Sequence, residues 1–172
     1  MVGTPHVLFV SLCLLGGVAL AEKQCDFTGT PDAWNAITKP GSGVYRLQLS
    51  TQENPKDCLR GKVPKNPTKP NATIKMTYKD KDGQWQSNEW QFYTSGPNIT
   101  ATLGDRTLTG TVIFDDEGKC HVNKYPDGAY GLWKHSSAQE GDAKCCKKKF
   151  KKETKSKNPQ NPQKEGCSKS TS

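Results

Sequence analysis

The groups in this chain that could do covalent chemistry are few. Beyond residue 21 there are two histidines, His121 and His135, and six cysteines, Cys25, Cys58, Cys120, Cys145, Cys146 and Cys167. A metal site would need cysteines or histidines at ligand spacing, and there is neither a Cys-x-x-Cys nor such a histidine pair. Nucleophilic, phosphoryl or metalloprotease chemistry would show as a Gly-x-Ser-x-Gly elbow, a glycine-rich loop or a His-Glu-x-x-His helix, and none occurs. The chain therefore reads as a non-enzyme with no metal and no cofactor. An even number of cysteines in an oxidising compartment favours three disulfides, with the pairing open from the residues alone. Cys145 and Cys146 should have different distant partners, because a bridge between adjacent residues strains the backbone.

Binding chemistry is better served. His121 and Asn123 alternate onto one strand face and could hydrogen-bond a hydroxyl, while Lys56 and Arg106 could reach a barrel mouth and hold a carboxylate. Large side chains, Tyr45, Leu47, Met76, Tyr78, Trp90, Phe92 and Trp133, alternate with polar partners and would share one interior if the strands close. An eight-stranded barrel leaves either a filled core or a cavity for one small ligand, and periodicity does not choose between them.

The elements that must position these residues follow from the same pattern. Thr30-Pro31-Asp32-Ala33-Trp34-Asn35-Ala36-Ile37 reads as a short helix with Thr30 as N-cap and Pro31 at its first position. Strict alternation begins at Val44, with Tyr45, Leu47 and Leu49 on one face and Arg46, Gln48 and Ser50 on the other. It returns around Met76, Trp90, Ile99 to Leu103, Val112 to Phe114, His121 and Trp133, with turn clusters between and a weaker run from Asp57 to Lys62. About eight short strands joined by short links make an up-and-down barrel or a sandwich. Residues 63–70, with three prolines, read as a loop, and residues 143–155 as a helix burying Cys146 and Phe150.

Compartment and charge complete the outline. Residues 1–21 are apolar and end in Ala19-Leu20-Ala21, the form of a cleavable signal peptide, so the mature chain is expected to start at Glu22 and to be secreted without a membrane span. A barrel domain over 22–157 and a basic tail over 158–172, tied back by Cys167, are the expected divisions. Of the net charge of +8, none lies in residues 1–143, which hold fifteen Lys or Arg against fifteen Asp or Glu; ten lysines face Glu153 and Glu165 beyond them. The block Lys147-Lys148-Lys149-Phe150-Lys151-Lys152 could meet a glycosaminoglycan or an anionic surface, and nucleic acid is not an expected partner. Asn71-Ala72-Thr73 and Asn98-Ile99-Thr100 are glycosylation sequons that should be exposed.

Several runs together resemble the soft-tick salivary lipocalins, nearest to the group of moubatin and the inhibitor of complement component five. They are Asp32-Ala33-Trp34-Asn35-Ala36, Tyr45-Arg46-Leu47, Lys56-Asp57-Cys58-Leu59, Met76-Thr77-Tyr78-Lys79, Cys120-His121-Val122, Leu132-Trp133 and Cys145-Cys146. The resemblance implies an all-β fold with minor α: an eight-stranded antiparallel up-and-down lipocalin barrel with a short N-terminal and a C-terminal helix. It also implies the bridges Cys25–Cys145, Cys58–Cys167 and Cys120–Cys146. Its implied ligand-binding set is Ile37, Tyr45, Lys56, Met76, Tyr78, Trp90, Phe92, Arg106, His121, Asn123 and Trp133.

For function, the resemblance implies sequestration of a small host inflammatory or haemostatic mediator. The first expectation is an eicosanoid of the leukotriene B4 or thromboxane A2 class. The alternatives are a biogenic amine, serotonin or histamine, and inhibition of a host complement protein through the outer loops. Amine binders of the family carry acidic residues where this chain has His121 and Gly131, which counts against an amine at that place. The lipid binders' arginine before the strand of Phe114 has no counterpart either, with Thr109 or Gly110 in its place.

Overall fold

The computed structural model describes residues 24–39, 41–155 and 157–167. The expected signal peptide and its cleavage point lie outside the described residues. Eight strands, β1 (Gly43–Ser50), β2 (Asp57–Val63), β3 (Asn71–Lys79), β4 (Trp85–Ser95), β5 (Asn98–Leu103), β6 (Arg106–Asp116), β7 (Cys120–Lys124) and β8 (Tyr130–His135), pair in sequence order, and β8 returns to β1 to close the barrel. Every pairing is antiparallel. The structure is thus an up-and-down lipocalin barrel with a helix near each end, α1 (Ala33–Thr38) and α2 (Lys144–Glu153).

Helix α1 starts later than its sequence suggests. Asp32, not Thr30, is the N-cap: its carboxylate accepts from the N–H groups of Trp34 at 2.8 Å and Asn35 at 3.3 Å. The second carboxylate oxygen pairs with Lys69 at 2.9 Å, and that contact holds the Asp32 carboxyl below its usual range. Pro31 stands before the cap rather than inside the helix. The Ala33 N–H donates to the Gly96 carbonyl of the β4–β5 turn, so α1 lies across one end of the barrel with Ala33, Ala36 and Ile37 buried.

Strand parity and its interruptions decide which side chains face inward. In β3, Ala72 and Ile74 are buried between exposed Asn71, Thr73 and Lys75, a clean period of two. In β1, the register against β8 slips between Leu47 and Leu49. Tyr45 and Leu47 face the interior with Trp133, whereas Leu49 packs outside with Phe114, Val122 and Leu132. The single face expected for Tyr45, Leu47 and Leu49 is therefore broken, because one extra residue in a strand reverses every side chain beyond it. A second bulge between Val112 and Phe114 sends Val112 inward and Phe114 outward.

Outside the barrel, α2 packs across β6, β7 and β8, covering Phe114, Cys120, Val122, Tyr130 and Leu132 with Cys145, Cys146 and Phe150. This second layer explains why β7 and β8 are buried on both faces. A 3₁₀ turn, Gly141–Ala143, leads into α2. Disulfides join Cys25 to Cys145, Cys120 to Cys146 and Cys58 to Cys167.

The segment around Asn158-Pro159-Gln160 reads as open chain held only by Cys167, and here the structure adds more. Ser50 and Gln160 exchange backbone hydrogen bonds at 2.7 and 2.9 Å, and the Cys58 N–H donates to the Pro162 carbonyl at 2.8 Å. The Gln163 amide donates to the Leu47 and Leu59 carbonyls. These bonds occupy the gap where β1 and β2 diverge beyond Arg46 and Arg60. The sequon residues Asn71 and Asn98 are exposed at the starts of β3 and β5.

Candidate functional site: a two-chambered barrel interior

The inner chamber, ≈ 60 Å³, lies beneath α1. It is lined by Ile37 of the helix, Tyr45, Gly61, Val63, Ile74, Met76 and Phe92 of the first four strands, and His121, Asn123 and Trp133 of the last two. Gly61 leaves this space open, because a Cβ there would lie 2.9 Å from the Met76 sulfur and 3.1 Å from Ile74. The outer chamber, ≈ 400 Å³, shares Met76, Phe92, Asn123 and Trp133 and widens towards Leu59, Ala101, Leu108, Tyr125 and Asp127. That volume falls within the usual range of small-molecule sites, roughly 300–1,000 Å³.

Of the residues named from sequence, Ile37, Tyr45, Met76, Phe92, His121, Asn123 and Trp133 line the inner chamber. The other four do not line either chamber. They form two pairs: the Lys56 ammonium lies 5.3 Å from the Tyr78 ring centre, and the Arg106 guanidinium 5.6 Å from that of Trp90. Tyr78 lies one inward position beyond Met76 on β3 and Arg106 one beyond Leu108 on β6, so the two cations stand towards the open mouth, while Trp90, opposite Ile74, is buried in the barrel wall. Among the lining residues, Tyr125 and Asp127 escape sequence reading because they belong to the β7–β8 turn, where Pro126-Asp127-Gly128 signals only a change of direction.

The polar end of the cavity consists of acceptors. Burial pushes His121 down to about 3, so its ring is neutral. The ring donates to the Ala36 carbonyl of α1, which leaves Nδ1 as an unprotonated acceptor with no partner. The Asn123 side chain hydrogen-bonds the Tyr125 hydroxyl, which also accepts from Trp133 Nε1 at 3.3 Å. With its amide nitrogen so engaged, Asn123, which lines both chambers, is left with Oδ1 buried and unpartnered. A buried acceptor without a donor costs about 1–3 kcal/mol, and two on neighbouring inward positions of β7 form a place that a donor would complete.

The same network fills the space beside Gly131. At Gly131 a Cβ would lie 2.6 Å from the Tyr125 oxygen and 3.2 Å from Leu47, so the Tyr125 hydroxyl occupies the room a carboxylate would need. At the closed end, the Tyr45 hydroxyl donates towards the carbonyls of Lys39 and Gly118, fastening the exit of α1 to the β6–β7 turn. Burial raises the Tyr45 phenol, with the nearby Asp115 charge adding to the effect.

No known protein-family profile matches this chain. It is 38% identical to moubatin of Ornithodoros moubata over 153 residues, covering 87% of this chain and 88% of moubatin. Among solved structures, AM182 in complex with serotonin is 31% identical with a TM-score of 0.73, covering 84% of this chain and 97% of that one. H1 crustacyanin from the lobster Homarus americanus, 14% identical with a TM-score of 0.55 over 84% of this chain and 94% of its own, shares the fold alone. An eight-stranded barrel with a capped, ligand-sized interior, joined to identity of this extent with moubatin, places the chain in a family of binding proteins rather than enzymes: it belongs to the secreted salivary lipocalins of ticks.

Proposed function

We propose that the barrel sequesters one small host mediator, and that the mediator is a hydroxylated aromatic amine of the serotonin class. The observation that carries this reading is the pair of unpartnered acceptors, His121 Nδ1 and Asn123 Oδ1, at the inner end of an aromatic cavity. A ring hydroxyl or indole N–H supplies the missing donors, and a carboxylate, which only accepts, does not. Phe92, Met76 and Trp133, common to both chambers, offer flat apolar walls to an indole, whose burial contributes roughly 25 cal/mol per Å². Asp127, a carboxylate lining the outer chamber, is the counter-charge for an ammonium directed towards the mouth. The likeness to AM182, solved with serotonin, supports the amine over the eicosanoid expected first from sequence.

This arrangement differs from an acid beside the Cys120–Cys146 bridge. It sets the charge at the wide end and neutral acceptors at the narrow end. Calorimetric titration of the disulfide-bonded protein with serotonin should give one saturable site, and Asp127→Asn should weaken it about tenfold or more, the range of a charge-assisted contact. An unchanged affinity in Asp127→Asn would remove the proposed ammonium partner, and no heat with serotonin would remove the amine.

The mouth favours a second reading. Lys56 and Arg106 are cations held over Tyr78 and Trp90, where an acid head group would leave the barrel if a fatty acyl chain filled it and a chain hydroxyl met Asn123. Leukotriene B4 titrated in parallel separates the two: binding lost in Lys56→Ala and Arg106→Ala but retained in Asp127→Asn belongs to the lipid.

A further inference from the structure

Helix α2 has one face buried against the barrel and another that is exposed among the described residues. Cys145, Cys146 and Phe150 face inward. Lys144, Lys147, Lys148, Lys151 and Lys152 are exposed, and Lys155 continues their row one turn beyond. Lys144, the pair Lys147 and Lys148, the pair Lys151 and Lys152, and Lys155 follow one another at steps of three and four residues, so these side chains form one stripe, spanning roughly 12 Å of axis from Lys144 to Lys152. The helix's own acid, Glu153, pairs with Lys149 at 2.8 Å on the half-buried flank, beside the contact of Lys149 with Phe27.

Stacking like charges at these intervals works against helix formation, and each such pair is locally destabilising. The fold holds the helix by other means: both cysteines of its first turn are bridged, to Cys25 and to Cys120, and Phe150 is anchored beneath it. A locally unfavourable row, retained on a rigidly fixed element, marks a functional surface. From this we propose that the exposed face of α2 docks a sulfated glycosaminoglycan, lying along the helix and independent of the barrel cavity.

The chemistry selects a linear polyanion over a lipid surface. No apolar side chain interrupts the stripe, and among the described residues the large exposed hydrophobics, Tyr93 and Leu108, lie on β4 and β6. An amphipathic membrane-binding helix would bury an apolar face in the interface. Here that face is already spent on the barrel.

The test uses the disulfide-bonded protein and heparin as the probe. Lys147→Gln/Lys151→Gln/Lys152→Gln removes three charges from the stripe. A control, Lys62→Gln/Lys65→Gln/Lys75→Gln, removes three exposed charges from β2, the β2–β3 loop and β3. The expected result is at least about a tenfold loss of heparin affinity in the stripe variant, with a shallower salt dependence, and little change in the control. Far-UV circular dichroism and an unaltered cavity ligand would show that the stripe variant is folded. Equal losses in both variants, or no heparin binding by the parent protein, would overturn the proposal. So would binding to phosphatidylserine-containing vesicles as tight as that to heparin.

Discussion

The barrel interior and the layer beneath α2 are both buried, but they bury different chemistry. Beneath α2 the residues are Phe114, Val122, Leu132, Phe150 and the sulfurs of two disulfides, packed into one apolar cluster. Inside the barrel, His121, Asn123 and His135 are as deeply buried, yet each carries a polar atom without a partner. The two regions share strands: on β7, Cys120 and Val122 face α2 while His121 and Asn123 face the cavity. One strand thus supplies stability from one face and recognition from the other. The outer layer can be filled to the limit of packing because it has no ligand to admit, and the interior retains unsatisfied groups that a filled core would not tolerate.

Substitutions should separate these roles, and the largest effect is expected outside the barrel. Phe150→Ala should lower stability by about 3–5 kcal/mol, the usual cost of emptying a buried aromatic site, while serotonin binding measured below the melting transition stays near its original value. A lost cavity affinity in that variant would show that the two regions are coupled.

Acid probes the inward side next, where His121 and Asp115 stand opposite each other on β7 and β6. His121 is neutral when folded and titrates near 6.5 when unfolded, so the unfolded chain binds more protons between about 3 and 6.5. Its contribution to stability is present above pH 6.5 and falls by at most about 1.4 kcal/mol per pH unit as pH drops through that window. Asp115 acts in the opposite sense. Desolvation raises it to about 6, above its ordinary 3.8, so the folded form gains stability as pH falls through 6. Urea denaturation at stepped pH should show a weaker acid loss in His121→Gln than in the parent protein, and a stronger one in Asp115→Asn.

Asn123→Leu tests the interior directly. It removes an unpartnered acceptor together with the bond to the Tyr125 hydroxyl, which still accepts from Trp133, so the two changes offset and stability moves by no more than about 1 kcal/mol, while ligand affinity falls about tenfold. A marked loss of stability there would mean that Asn123 serves the core and not the ligand. The smallest effect belongs to the rim of the outer layer: Lys149→Gln, which breaks the pair with Glu153, should shift stability by no more than about 0.5 kcal/mol in thermal melts.

Much of this was legible in the residues themselves. Period-two runs, turn clusters and the two short helical segments specify about eight short strands, an up-and-down barrel or a sandwich, because side-chain alternation and turn chemistry are local properties of the chain; the family resemblance chose the barrel. Tyr45, Met76, Phe92, His121, Asn123 and Trp133 could be assigned to one interior on the same ground. Local pattern could not locate the bulges at Gln48 and Ile113, which reverse Leu49 and Phe114, since a bulge is defined by the partner strand. Nor could it distinguish depth or neighbour: Tyr78 has the parity of a cavity residue and stands at the mouth, and Trp90, of the same parity, meets the Arg106 guanidinium and lines neither chamber. Tyr125 and Asp127 enter the site only because the β7–β8 turn folds over the barrel, and the Tyr125 oxygen meets Gly131 only across that turn. The sequence by itself determined the strand periodicity, the helical segments and the cationic block. Which acceptors stay unpaired, which cations reach aromatic rings and where the last residues lie were decided by tertiary structure, because each depends on groups far apart in the chain meeting at fixed distance.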